Sequence, residues 1–191
     1  MIVATESITL DGVMQAPGRT DQDERGGFSH GGWAAPFASD DQMAIMGEGM
    51  AATTGMIFGR RTYLDLVGAW LAAREPNPFG GFIRRTQKWV ASRSRAPLEH
   101  PASTLLYGEA TLTVARLRDE VDGTISILGS AELVRSLHEA GLIDRFALLV
   151  HPLTLGSGAR LFGEGRRQDL ELQRADTTST GVTILQLARR R

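Results

Sequence analysis

Residues 124–134, Thr-Ile-Ser-Ile-Leu-Gly-Ser-Ala-Glu-Leu-Val, constrain the fold of this chain most. Thr124, Ile125 and Ile127 are β-branched, as buried strands prefer. Gly129 lets the backbone turn tightly, or lets a ligand approach with no Cβ in the way. Ser130 suits a helix N-cap, and Glu132 falls in the first turn, where the macrodipole favours an acid. A strand that runs through a glycine into a helix presents unpaired N–H groups to an anion such as phosphate. Taken alone, the stretch also fits an ordinary strand-to-helix turn.

Similar patterns recur along the chain. Residues 2–10 alternate apolar and small polar residues, with Ile2, Ala4, Ile8 and Leu10 on one face of a strand. Further strands are expected at 56–58, 89–91, 105–107 (edge-like) and 146–150, and 170–175 with 182–187 read as a closing antiparallel pair. Ser39-Asp40-Asp41-Gln42 has the form of a capping box, and the helix it opens is expected to end near Gly55. Other helices are expected from Gly59 towards Trp70, over 110–121, and from Ser130 to a C-terminal Gly141. Pro76-Asn77-Pro78 should break the first of these, after Trp70. Alternating strands and helices predict an α/β domain spanning 1–191, with a mostly parallel central sheet and an antiparallel C-terminal edge.

Composition removes several functions. With 191 residues, 42% of them hydrophobic, the chain can bury a substantial core. A net charge of −1 gives no field to recruit nucleic acid or anionic membrane, and Arg189-Arg190-Arg191 reads as a frayed tail. The absence of cysteine excludes disulfides, thiolate catalysis and Cys-ligated metals. The four histidines lack metal-ligand spacing, so no metal is expected. No leader-like start and no apolar run of roughly 18 residues are present, which predicts a cytoplasmic protein. Gly27-Phe28-Ser29-His30-Gly31 matches a nucleophile elbow in letters only, since no hydrophobic strand precedes it.

Residues 13–36 are rich in glycine and acids yet carry Phe28, His30 and Trp33. A segment this long without regular structure is functional or disordered, and the aromatics favour function. Two roles stay open for Trp33: a stacking face on a lid over the site, with His30 as hydrogen-bond donor, or an anchor for the loop. Three strand ends carry phosphate-type residues: Gly59-Arg60-Arg61-Thr62, Ser92-Arg93 and Gly129-Ser130-Ala131-Glu132. In open α/β sheets these ends gather on one rim, where arginines and hydroxyls suit a dinucleotide with an extra ribose phosphate.

The segments SITLDGVM (7–14), MIFGRRTY (56–63), KWVASRS (88–94), ISILGSAELVRSLHEAGLIDRF (125–146) and HPLTLGSGARLF (151–162) together resemble the dihydrofolate reductase-like superfamily. Within it, the chain is similar to the C-terminal reductase domain of bifunctional riboflavin biosynthesis proteins. The resemblance implies that superfamily's three-layer α/β fold, NADPH as hydride donor, a small heterocyclic substrate of pyrimidine or pterin type, and a homodimer. It implies Gly59, Arg60 and Thr62 at the cofactor phosphates and Ser92 and Arg93 near the adenosine 2′-phosphate. Gly129, Ser130, Ala131 and Glu132 would cradle the pyrophosphate. Asp11, the candidate catalytic residue, and Gly12 would border the nicotinamide. Gln15, His30, Trp33, Leu155 and Gly156 would form the substrate side. True dihydrofolate reductases carry a pterin-binding acid in the first long helix, and no motif here singles out Asp40, Asp41 or Glu48 for that role. The proton for reduction would come from Asp11, from water or from the substrate. The uracil-derivative reductase of riboflavin biosynthesis and a non-catalytic NADP-binding protein remain alternatives.

Overall fold

The computed structural model describes residues 1–73, 78–163, 165 and 167–190. Eight strands form one sheet: β1 (Ile2–Thr9), β2 (Thr53–Gly59), β3 (Gln87–Ser92), β4 (Ser103–Tyr107), β5 (Thr124–Leu128), β6 (Arg145–His151), β7 (Leu170–Thr177) and β8 (Thr183–Arg189). Their order is β4-β3-β2-β5-β1-β6-β8-β7. All neighbours from β4 to β6 are parallel, and β8 runs antiparallel to both β6 and β7. The expected mostly parallel sheet with an antiparallel C-terminal edge is therefore present.

Side-chain alternation builds three layers from this sheet. Ile2 and Ala4 of β1, Ile57 of β2, Ile125 and Ile127 of β5 and Phe146 of β6 face α5 (Ala110–Glu120) and α6 (Ala131–Glu139), which contribute Val114, Leu117, Leu133, Val134 and Leu137. On the other face, Met56, Phe58 and Val90 pack against Tyr63, Val67 and Ile83. Those last three belong to the run of α2 (Arg60–Thr62), a π-helical turn (Tyr63–Val67) and α3 (Gly68–Ala72), and to α4 (Pro78–Arg85). Ile45 and Met46 of α1 (Asp40–Ala51) cover Leu149 and Ile184.

Several local expectations change. Leu10 lies beyond β1 and is 71% exposed, because the chain turns at Asp11-Gly12, where Gly12 takes φ +80°. The apolar face it was expected to extend holds Glu6 instead, 2% exposed between Ala4 and Ile8. Ser39 caps α1 by accepting from the Gln42 N–H (3.4 Å), but Gln42 Nε2 turns to Met46 Sδ, so the box is half formed, and α1 ends at Ala51. Pro76 and Asn77 lie outside the described residues, and Pro78 opens α4, a helix the sequence reading missed. Lys88 is buried, and its Nζ donates to Ile83 O in the last turn of α4 (2.6 Å) and to Thr86 O just beyond it (2.7 Å). Arg189 is the last residue of β8 and donates to Gly141 O, and the Arg190 N–H donates to Asp169 O (3.0 Å), so the tail is tied down through Arg190, while Arg191 lies outside the described residues. Both faces of β6 are covered by the chain's own residues.

Candidate active site

A cleft of about 1060 Å³ opens over the carboxyl ends of the parallel strands. Its walls come from the ends of β2, β3 and β5, from the N-termini of α2 and α6, and from residues 14–26 of the long loop. Gly59, Arg60, Thr62, Ser92, Arg93, Gly129, Ser130, Ala131 and Glu132 all line it, and so does Gln15. The three strand ends singled out in the sequence thus meet at one site.

Direct bonds hold these ends together. Ser130 Oγ accepts from the Gly59 N–H (2.9 Å), joining β5 to β2. Arg60 Nε donates to Ser92 Oγ (3.0 Å), and its two terminal nitrogens donate to Pro97 O and Ala96 O, joining β2 to the turn after β3. Arg93 is left free of such bracing, 86% exposed with Glu109 at 3.4 Å. Ser130 is not a side-chain cap, contrary to expectation: it sits in the left-handed region at φ 67°, ψ 51°, and its hydroxyl is turned to Gly59. The first N–H groups of α6 therefore meet the cleft without a side-chain partner, the geometry that favours an anion. Gly129 is also left-handed (φ +66°), and a Cβ there would stand 3.1 Å from Thr62 Cγ2, so the close turn requires glycine.

Asp11, Leu155 and Gly156 also come together, though outside the lining of the cleft. Asp11 Oδ1 accepts from Thr9 Oγ1 (2.6 Å) and the Leu155 N–H (3.2 Å), and Oδ2 accepts from the Gly156 N–H (2.8 Å). The Thr9 hydroxyl and these amides hold its pKa at about 2. Gly12 makes the adjoining turn, its N–H bonded to Thr9 O (2.9 Å). Gln15 spends its side chain on the loop: Nε2 donates to Asp23 O and Arg25 O, and Oε1 accepts from the Ala159 N–H. Trp33 is 6% exposed, donates through Nε1 to Gln15 O (2.7 Å) and packs with Val13, Ala16 and Phe28. His30 is exposed, edge-on to Phe28. Neither Trp33 nor His30 lines the cleft.

Glu6, which the sequence reading passed over, lines the cleft too, along with Asp23, Asp65, Glu109 and Glu132. Pairing between β1 and β5 ends at Thr5–Leu128, so Glu6 is the first β1 residue beyond it and meets the turn at Gly129. Its Oε2 accepts from the Gly129 N–H (3.0 Å), and its buried Oε1 has no protein partner. Burial raises its pKa well above the ordinary carboxylate range, and the Gly129 bond offsets this only in part. The available signal was a charge at an apolar position of an alternating strand, Ile2-Ala4-Glu6-Ile8. The helix acids do not reach the cleft: Asp41 accepts from the Ser179 N–H, Glu48 pairs with Arg174, and Asp40 is exposed. On the loop side, Arg19 pairs with Asp65, and Arg25 pairs with Asp23 and faces Glu132 at 3.6 Å. Among the described residues no cluster of His, Asp and Glu is placed to hold a metal, and no helix is long and apolar enough to cross a membrane.

Residues 1–185 match the RibD C-terminal domain family. The uncharacterized protein YyaP of Bacillus subtilis (strain 168) is 26% identical over 132 residues, which are 66% of this chain and 69% of YyaP. The crystal structure of a putative riboflavin biosynthesis protein from Shewanella sp. PV-4 superposes with a TM-score of 0.70 at 18% identity, covering 100% of this chain and 99% of that one. Dihydrofolate reductase from Enterococcus faecalis, complexed with NADP(H), superposes at 0.59 and 13% identity, covering 100% and 97%.

Proposed function

This chain belongs to the RibD C-terminal domain family, and on that footing we propose that it is a cytoplasmic, NADPH-dependent reductase of a pyrimidine- or pterin-like heterocycle. The observation that carries the reading is the joined rim: three strand ends braced to one another around the uncapped N-terminus of α6 and the left-handed Gly129. Such a rim fits the phosphates of a dinucleotide. When bound, the reduced nicotinamide supplies the hydride. The chain's residues bind, orient and exclude water. Gly59, Thr62, Gly129, Ser130, Ala131 and Glu132 form the pyrophosphate cradle. Arg60 braces the turn that presents Ser92 and Arg93, and the exposed guanidinium of Arg93, loosely paired with Glu109 at 3.4 Å, takes the adenosine 2′-phosphate.

The substrate enters beside the loop, where Gln15 shapes the wall and Trp33 anchors the segment that carries it. Asp11 acts as a clamp for Leu155 and Gly156, because both its oxygens are spent on that turn. The riboflavin-pathway reductase is the second reading, supported by the family match. Its substrate carries a phosphate, whereas the loop arginines Arg19 and Arg25 are already neutralised by Asp65 and Asp23, which favours a substrate without one.

NADPH binding by fluorescence titration, followed by NADPH consumption across a panel of oxidised pyrimidines and pteridines, tests the proposal. Binding with turnover of one member supports it. Binding without turnover leaves a nucleotide-binding protein, and absence of binding ends the reading. The proposal includes a homodimer, which light scattering at micromolar concentration checks; a mass of one chain refutes it.

A further inference from the structure

A second cavity, of about 400 Å³, lies between the C-terminal half of α6 and the segment that leads from Leu161 to β7. Among the described residues, Arg135 alone belongs both to its wall and to the wall of the cleft. Its size suits a ligand of a single ring. One side is aromatic: the rings of His138, Phe146 and Phe162 meet edge to face, with centroids 5.2–5.4 Å apart. Phe146 is buried beneath, whereas Phe162 is 41% exposed and lines the cavity with His138. Burial pushes the His138 imidazole towards its neutral form, so this side carries no charge.

Polar groups surround the rings. Gln168 Nε2 donates to His138 O (2.8 Å), which fixes the amide and leaves its Oε1, buried, without a partner. A buried acceptor in a cavity wall is costly until a donor reaches it. Arg135 spends one nitrogen on Arg160 O (2.6 Å) and makes no ion pair among the described residues. Arg167, the other cation of the wall, is paired with Asp169 (3.1 Å). Glu139 also lines the cavity and disfavours a ligand with more than one negative charge. We propose that this cavity binds a small aromatic monocarboxylate that carries a hydrogen-bond donor. The ring packs on Phe162 and His138, the carboxylate meets the Arg135 guanidinium, and the donor reaches Gln168 Oε1. The site is separate from the cleft and does not depend on the reductase reading.

The test uses the whole chain and 4-aminobenzoate, compared by titration calorimetry with probes that lack its features. A Kd of about 1 mM or tighter is expected for 4-aminobenzoate, which has about ten non-hydrogen atoms. Benzoate, without the donor, should bind about two- to tenfold more weakly, and cyclohexanecarboxylate, which also lacks the aromatic ring, more weakly still. Aniline, without the carboxylate, should lose about tenfold or more. Amide resonances of α6, Leu161, Phe162 and Gln168 should shift on binding, and saturating NADPH should not displace the ligand. Arg135→Gln should weaken 4-aminobenzoate about tenfold and leave aniline within about twofold, a split that a merely damaged fold would not give. The proposal is overturned if 4-aminobenzoate fails to bind at millimolar concentration, if NADPH displaces it, if aniline binds as tightly, or if Arg135→Gln weakens both equally. The probe series on the wild type decides the matter even if Arg135→Gln does not fold.

Discussion

Replacing Trp33 with alanine should cost the protein a large share of its stability. The indole is 6% exposed and packs among Val13, Ala16 and Phe28, with Leu153 and Leu155 at its border and the His151 ring edge-on at 5.1 Å. Truncating a buried tryptophan to alanine costs about 3–5 kcal/mol, and loss of the Nε1 donor leaves the Gln15 carbonyl unpaired for about 1 kcal/mol more. At roughly 2–4 °C per kcal/mol for a chain of this size, the melting temperature should fall by about 8–24 °C. Trp33→Phe keeps most of the packing and loses mainly the hydrogen bond, so it should fall by less than half as much. Calorimetry of the three proteins checks the order. NADPH affinity should stay near wild type, because the cradle is built from β2, β3 and β5 with no contribution from Trp33. A Trp33→Ala protein that melts within about 3 °C of wild type would refute the anchor and return Trp33 to the role of a lid residue.

Other outcomes follow from the same structure. His151 is fully buried with neither ring nitrogen bonded, and burial lowers its pKa to about 4. Its folded pKa lies below an unfolded value of about 6.5, so its contribution is complete above that pH and lost as pH falls towards 4. Glu6 titrates with the opposite sign, so the readout is a difference: between pH 6.5 and 5, wild type should lose about 2 kcal/mol relative to His151→Gln in denaturant unfolding, and parallel profiles would contradict the assignment. Arg93→Ala should weaken NADPH about tenfold and leave NADH nearly unchanged, by titration calorimetry; equal losses for both cofactors would remove Arg93 from the 2′-phosphate. In Gly55→Ala the new Cβ would stand 2.2 Å from the Trp89 ring, and overpacking of about 1–3 kcal/mol should lower the melting temperature, which thermal unfolding measures.

The sequence by itself determined the parts that depend on near neighbours. Strand periodicity at Ile2-Ala4 and Ile125-Ile127, the glycine turn at 129 and the capping residue at 39 all express backbone preferences acting over a few residues, and each appears where it was expected. The meeting of Gly59, Ser92 and Gly129 on one rim also followed, because a parallel sheet puts every strand's carboxyl end on the same side. Only the tertiary structure decided the partners. Arg60 could have been a free phosphate ligand, but the turn at 96–97 folds onto its guanidinium. The partners of Asp11, the amides of Leu155 and Gly156, lie 144 and 145 residues away, beyond the reach of local sequence. Glu6 depends most on distance along the chain: its bond to Gly129 spans 123 residues, and its raised pKa comes from burial that local sequence does not show. Charge, pKa and hydrogen-bond availability are set by whatever packs around a group, so a side chain's chemistry becomes readable only once long-range contacts have chosen its surroundings.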